Sequence, residues 1–253
     1  MHRHIGSGLL LLAAGLWITA ASGAETWDIA PQKSCVGLTA GWARPLPELS
    51  KLVGPQWKPA PGPVKGQGLV LLFLTACPDS SYAGKATGRF SGAFVLVPVE
   101  QNTPAGAPPA SNTHGIAVLE AAGKPGTPVM KLFRSHDIPI SDARVSLDAR
   151  GNANGKHAKA VIHFAQGTLT LDAEMLPEIL PYKSVNTVAV RVTPAGVLFS
   201  GPESSTRYAK GEGKLHTSGE TWAERYQLEG APVFVTLDTD FIWNFAFQTA
   251  PHS

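Results

Sequence analysis

The chain has 253 residues, a formal net charge of +2 and charged side chains at only 16% of positions, so it has no basic surface to attract nucleic acid. Glycine at 26 and proline at 21 positions favour many short elements joined by turns over long helices. The length suits one domain of the β class.

Met1 to His4 lead into the apolar run Leu9 to Ile18, and the small residues Ser22-Gly23-Ala24 follow. This is the pattern of a secretory signal peptide cut after Ala24. Residues 1–24 therefore read as signal peptide and 25–253 as a single β-rich domain, exported to the periplasm or fully secreted. The apolar run is short of the roughly 20 residues of a spanning helix. No later segment reads as one, so no stable membrane insertion is expected after cleavage. Two cysteines, Cys35 and Cys77, form an even count that an oxidising compartment favours pairing, two buried thiols being the alternative.

Arg44 to Val53 predicts a helix, with prolines at its start, Leu46, Leu49 and Val53 along one face, and Gly54-Pro55 as the stop. Trp57 to Pro63 reads as an extended connector. Gly68 to Cys77 is apolar at nearly every position and predicts a strand buried on both faces. Phe90 to Glu100 is the next strand, its later half an edge or bulge because of Pro98. Gln101 to Thr113 reads as a loop and Val129 to Arg134 as a strand. Arg144 to Asp148 and Lys159 to Phe164 flank a Gly/Asn-rich reversal and predict a hairpin. Gly167 to Glu174 and Val185 to Pro194 extend the antiparallel pattern, with a short helical turn near Met175 to Leu180. The chain closes with Val233 to Gln248, where Phe241, Trp243, Phe245 and Phe247 alternate and give one aromatic face. The fold class expected is mainly β: an antiparallel barrel- or cone-like sheet with one or two short helices.

Metal chemistry is not indicated, since the histidines form no HExxH or Cys-x-x-Cys grouping. Gly-x-Ser-x-Gly and a dinucleotide fingerprint are also missing, and no cofactor is expected. Three features bear on function. Strand alternation over Lys131 to Asp137 places Lys131 and Phe133 on one face and Arg134 and His136 on the other. A Lys131 inside an apolar barrel would lose charge by desolvation and gain nucleophilicity, with Arg134 or His136 assisting; on an open face it is an ordinary solvated lysine. Phe241, Trp243 and Phe245 are core residues or the wall of an apolar pocket. Arg89 either meets an anionic ligand group at the mouth of that pocket or caps a surface turn.

Leu46 to Pro55, the apolar strand Leu69 to Ala76 and the strand Phe90 to Glu100 together resemble the acetoacetate decarboxylase-like superfamily over the central half of the chain. The resemblance implies an apolar cavity enclosed by a β-barrel or cone, and a lysine that forms a Schiff base with a β-keto acid. The family's Glu-Ser-x-Lys string is absent here, so its catalytic residues do not carry over, and Lys131 is the lysine best placed by pattern alone. Three functions follow as expectations. The first is an exported barrel that binds a small apolar or carboxylate-bearing molecule. The second is an enzyme acting through a lysine on small carbonyl or keto-acid compounds. The third is an envelope structural or interaction protein.

Overall fold

The computed structural model describes residues 27–55, 57–82, 85–100, 114–135, 137–152, 155–176, 180–181, 188–189, 192–193, 196–203 and 207–249, with side chains left aside at 27–34, 82, 114–115, 151–155, 180–208 and 240–249. In chain order come β1 (Trp27–Pro45), α1 (Leu46–Val53), β2 (Gln67–Cys77), β3 (Asp79–Tyr82), β4 (Lys85–Ala86), β5 (Phe90–Glu100) and β6 (His114–Gly123). These are followed by α2 (Pro128–Ser135), β7 (Ile140–Asn152), β8 (Gly155–Phe164), β9 (Gly167–Met175), β10 (Leu180–Pro181), β11 (Val188–Ala189) and β12 (Val192–Thr193). The last elements are β13 (Gly196–Glu203), β14 (Arg207–Gly219), α3 (Trp222–Arg225) and β15 (Phe234–Thr249).

Nine strands close a barrel in the order β15-β14-β9-β8-β7-β6-β5-β2-β1, with β1 returning to β15. The 19-residue β1 makes closure possible, because it pairs with β2 through Val36 to Pro45 and with β15 through Trp27 to Gly41. Closure leaves the barrel strands without a free edge. The mainly β, barrel-like class expected from the sequence is therefore observed, as is the predicted helix before Gly54-Pro55.

Strand alternation fills the interior. Leu38, Ala40 and Trp42 of β1 face inward beside Val70, Leu72 and Leu74 of β2, and Ala158, Ala160 and Ile162 of β8 do so beside Leu169 and Leu171 of β9. Each large aliphatic side chain buried this way contributes about 2 kcal/mol. The outer faces of β8 and β9 carry Lys159, His163 and Glu174, all exposed; this apolar-in, polar-out pattern is the reverse of a membrane-spanning barrel. Among the described residues no helix is long and apolar enough to cross a membrane.

A second, outer core explains why β2 is apolar on both faces. Phe73, Phe90, Phe94, Leu96 and Val118 point out of the barrel and are covered by Val129, Met130, Leu132 and Phe133. This corrects the strand expected over Val129 to Arg134: the segment is α2. Its apolar residues fall at helical spacing, and the exposed aromatic face of β2 and β5 needs a lid that a strand's single face would not supply. Cys35 and Cys77 are buried at the same outer core and joined by a disulfide, with Cα atoms 4.1 Å apart.

Two other expectations are refined. Pro98 of β5 lies beyond the stretch paired with β2, and its carbonyl instead accepts from Ala60 N–H at 2.9 Å. Of Val185 to Pro194, expected as an antiparallel strand, the described residues are β11, which runs parallel to β6, and β12, which pairs antiparallel with β13. The hairpin of β7 and β8 forms as predicted, with Asn152 opposite Gly155. The residues expected to form the signal peptide and the Gln101 to Thr113 loop, and most of the helical turn expected near Met175 to Leu180, lie outside the described residues.

Candidate functional site

The site starts from an irregularity in one ladder. Between β5 and β6, Leu96 pairs with Val118 but Val95 pairs with Glu120, so Leu119 is an extra residue on β6. A bulge of this kind shifts the inward–outward phase by one position. Ala117 before it faces the inner core, and after it Ala122, the partner of Ala93, does so again. Without the bulge Glu120 would share the outward face of Val118. With it, Glu120 turns into the barrel, where its side chain keeps only 5% of its exposure.

An isolated buried carboxylate is costly, and this one is met by three donors. Ser141 of β7 donates its hydroxyl to Oε1, Tyr226 donates its hydroxyl to Oε2, and Arg225 Nη1 lies 2.9 Å from Oε2. Burial by itself raises the Glu120 pKa; the hydrogen bonds from Ser141 and Tyr226, the nearby Trp222 indole and the Arg225 charge outweigh it, so the carboxyl is held below its ordinary value and stays ionised. Burial and the neighbouring carboxylate push the Tyr226 phenol up, which keeps it a neutral proton holder. The Arg225 guanidinium is pushed up, chiefly by Glu120. Trp222 is buried, and its Nε1–H has no partner within hydrogen-bond geometry.

α3 brings Trp222, Arg225 and Tyr226 to this place. Thr221 caps it by accepting from Ala223 N–H at 3.2 Å, and Gln227 then takes a left-handed φ of 56° that turns the chain back. Arg44 holds the turn by donating to the carbonyls of Gln227 and Glu229 at 2.7 and 2.8 Å, while Trp42 Nε1 donates to Gly230 O at 3.0 Å. Trp222 packs between the rings of Phe164, 5.3 Å away, and Tyr226, 6.2 Å away. The segment thus plugs the barrel beside Glu120.

Next to it is a cavity of about 130 Å³, lined by Leu52 and Val53 of α1, Trp57, Ala117, Val118 and Leu119 of β6, and Tyr226. A cavity of roughly this size accommodates a molecule like benzene. Chemically, the arrangement offers an ionised carboxylate in Glu120, a neutral phenol in Tyr226 hydrogen-bonded to it, and a small cavity beside them. Among the described residues no group of three His, Cys, Asp or Glu side chains converges as a metal site.

The residues singled out from sequence lie elsewhere. Lys131 and Arg134 are on α2, not on a strand, and both are exposed on the side of α2 away from the outer core. The burial that would make Lys131 a nucleophile is absent. His136 lies outside the described residues. Arg89 is exposed in the turn before β5. Phe241, Trp243 and Phe245 sit in β15 opposite Cys35, Gln32 and Ala30 of β1, and their side chains are outside the described residues. Among the described residues, every lysine with a described side chain is exposed except Lys156, which is half-buried.

Sequence reading missed Glu120, Ser141, Trp222, Arg225 and Tyr226. Two signals were present: a single acid within the otherwise apolar Ile116 to Ala122, and the Thr221-Trp222-Ala223-Glu224 string, which has the spacing of a helix-capping box.

No protein-family model and no curated protein matches this chain. Solved structures do match. An acetoacetate decarboxylase-like enzyme from Sphingomonas wittichii RW1 superposes with a TM-score of 0.52 at 11% identity, over 90% of this chain and 94% of that one. Acetoacetate decarboxylase from Legionella pneumophila gives 0.52 at 10% identity, over 88% and 87% of the two chains. The enduracididine biosynthesis enzyme MppR complexed with pyruvate gives 0.50 at 11%, over 95% and 96%. At these identities the likeness concerns architecture, and this chain has an acetoacetate decarboxylase-like fold.

Proposed function

We propose that this chain is an exported, acetoacetate decarboxylase-like enzyme that acts on a small carbonyl compound held in the cavity beside Glu120. The observation that carries the reading is the bulge at Leu119, which turns a buried, ionised carboxylate inward, next to a small cavity that its chain neighbour Leu119 and its hydrogen-bond donor Tyr226 line. The shared fold with enzymes of this class supports it. The disulfide between Cys35 and Cys77 supports export, because such bonds persist in oxidising compartments.

In the chemistry proposed, the Glu120 carboxylate removes a proton from the carbon next to the carbonyl. The electron pair of that C–H bond forms the C=C of an enolate, and the carbonyl π pair moves to oxygen. As Glu120 takes up the proton, the Tyr226 hydroxyl that had donated to it turns to the developing oxyanion and supplies its hydrogen bond. Return of the proton to carbon completes the exchange.

The test is α-proton exchange of methyl propyl ketone or pyruvate in D2O, followed by NMR with the mature protein and with Glu120→Gln. Exchange that is accelerated by the wild type and lost in the variant supports the proposal. Exchange equal in both sinks Glu120 as the base. Borohydride trapping with the same compounds addresses the Schiff-base route: a reduced adduct on Lys131 would restore that residue, and an adduct on Lys33 or Lys183, whose side chains are outside the described residues, would relocate the site.

A second reading is a carrier without chemistry. It is favoured by the three donors already satisfying Glu120. Tight binding with no exchange and no adduct is its signature.

A further inference from the structure

We infer that the crossing of β1 and β15 beside Asp238 is a joint that stays closed while the Asp238 carboxyl carries its proton and opens when it ionises. The two long strands serve two sheets. On one side of the crossing β15 pairs with β14 as far as Thr239, and β1 pairs with β2 from Val36 onward, which completes the barrel. On the other side β15 pairs with β13 from Ile242 and β1 pairs with β3 through Gln32 and Lys33. There β12, β13, β15, β1, β3 and β4 lie in one outlying sheet. Both strands thus change partners within a few residues of Asp238.

The ladder between β1 and β15 is irregular at this point. Its register shifts between Gln32 and Cys35 and again between Cys35 and Gly37, and such shifts interrupt the pairing locally. The Cys35–Cys77 disulfide and the Thr75 hydroxyl, which donates to Val36 O at 3.3 Å, fasten β1 to β2. The line of separation is therefore between β1 and β15.

Asp238 stands on that line. Val235 and Leu237 fill the inner core, so alternation turns Asp238 to the outer face, opposite Gly37, which offers no side chain. Beyond Gly37 in the same row is Thr75, whose hydroxyl is engaged with Val36 O and Cys77 Sγ. On β14, Tyr208 is opposite Asp238 and the exposed Lys210 is opposite Thr236. The side chains of Tyr208, of Arg207 opposite Thr239 and of Asp240 lie outside the described residues. No donor or cation among the described residues meets the half-buried Asp238 carboxyl; burial alone acts on it, raising it from 3.8 to about 7. A carboxylate without a partner needs water, and parting β1 from β15 admits it. Opening returns the carboxyl to its ordinary 3.8, so opening is favoured increasingly as the pH rises from 3.8 to about 7 and levels off above that. The joint is separate from the Glu120 site, and its test involves no ligand.

The experiment is amide hydrogen exchange of the mature, disulfide-bonded chain at about pH 5 and about pH 7, read residue by residue by NMR and corrected for the intrinsic pH dependence of exchange. The opening constant at Gly37, Leu38, Leu237 and Asp238 is expected to rise at least about tenfold over that interval. These amides should also be less protected than those of Ala160 and Leu171, paired in β8 and β9. Asp238→Asn, which matches the side chain in shape, should remove the rise. An opening constant that does not change with pH overturns the inference. Equal protection and an equal rise at Ala160 and Leu171 would show unfolding of the whole barrel in place of a joint, and a rise that survives in Asp238→Asn would assign it to another group; either result also overturns it. Should the variant fail to fold, the comparison of the two regions in the wild type decides alone.

Discussion

Tyr226 donates its hydroxyl to Glu120 across 106 residues of sequence. With Arg225 it ties the α3 plug to the wall of the barrel. Glu120→Gln keeps the shape but removes the charge that holds Arg225, and the variant should lose about 1–3 kcal/mol in urea denaturation. The exposure of Arg225, 57% of its side chain, keeps the loss below that of a fully buried pair. The pH dependence has a definite sign. Because the folded-state carboxyl is lowered from 4.5, its stabilisation is present above that pH and is lost as the pH falls through the folded value. The acid limb of the wild-type stability curve should flatten in Glu120→Gln.

Asp238 behaves in the opposite sense. It stands in β15 between Gly37 and Tyr208, and burial pushes its carboxyl from 3.8 up to about 7. Its contribution is fully present below 3.8 and is lost as the pH rises through about 7. Asp238→Asn should therefore be more stable than wild type at pH 8, by about 1–3 kcal/mol, with the difference vanishing near pH 4. Thermal melts across that range check it; a pH-independent difference would show that the carboxyl is ionised in the fold.

Met130 of α2 rests over a pair of glycines, Gly92 and Gly123, that face each other across β5 and β6. A Cβ on Gly123 would come within 2.6 Å of the Met130 methyl, and one on Gly92 within 3.0 Å. Gly123→Ala should cost about 1 kcal/mol, a modest figure because the methionine end can shift. Combined with Met130→Ala the cost should be less than the sum of the two single changes. Strict additivity would mean that the two do not touch.

The disulfide closes a loop of 42 residues. Its reduction, or Cys35→Ser with Cys77→Ser, should cost about 4 kcal/mol on chain-entropy grounds. Comparing urea midpoints with and without reductant measures it.

Much of the barrel was legible because its elements are written locally. Gly68 to Cys77 is apolar at both phases of the strand period, and the β7–β8 hairpin carries its Gly/Asn reversal. The α1 helix is bounded by Pro45 and Gly54. Where two local signals competed, reading failed: Val129 to Arg134 is short enough to alternate as a strand, and only the outer aromatic face of β2 and β5 decides that it folds as a helix. The candidate site was hidden for a related reason. Lys131 stood out in the sequence as a lysine among apolar residues, but on a helix its side chain lies on the solvent side.

The sequence by itself determined an apolar, turn-rich β chain, the place of its first helix and a pair of cysteines that export would join. Tertiary structure alone decided where charge could be buried. Glu120 faces inward because one extra residue in β6 changes the phase of its pairing with β5, and its charge persists because Ser141, Arg225 and Tyr226 arrive from distant strands and α3. Register and convergence are properties of pairs of segments, and local propensity fixes neither.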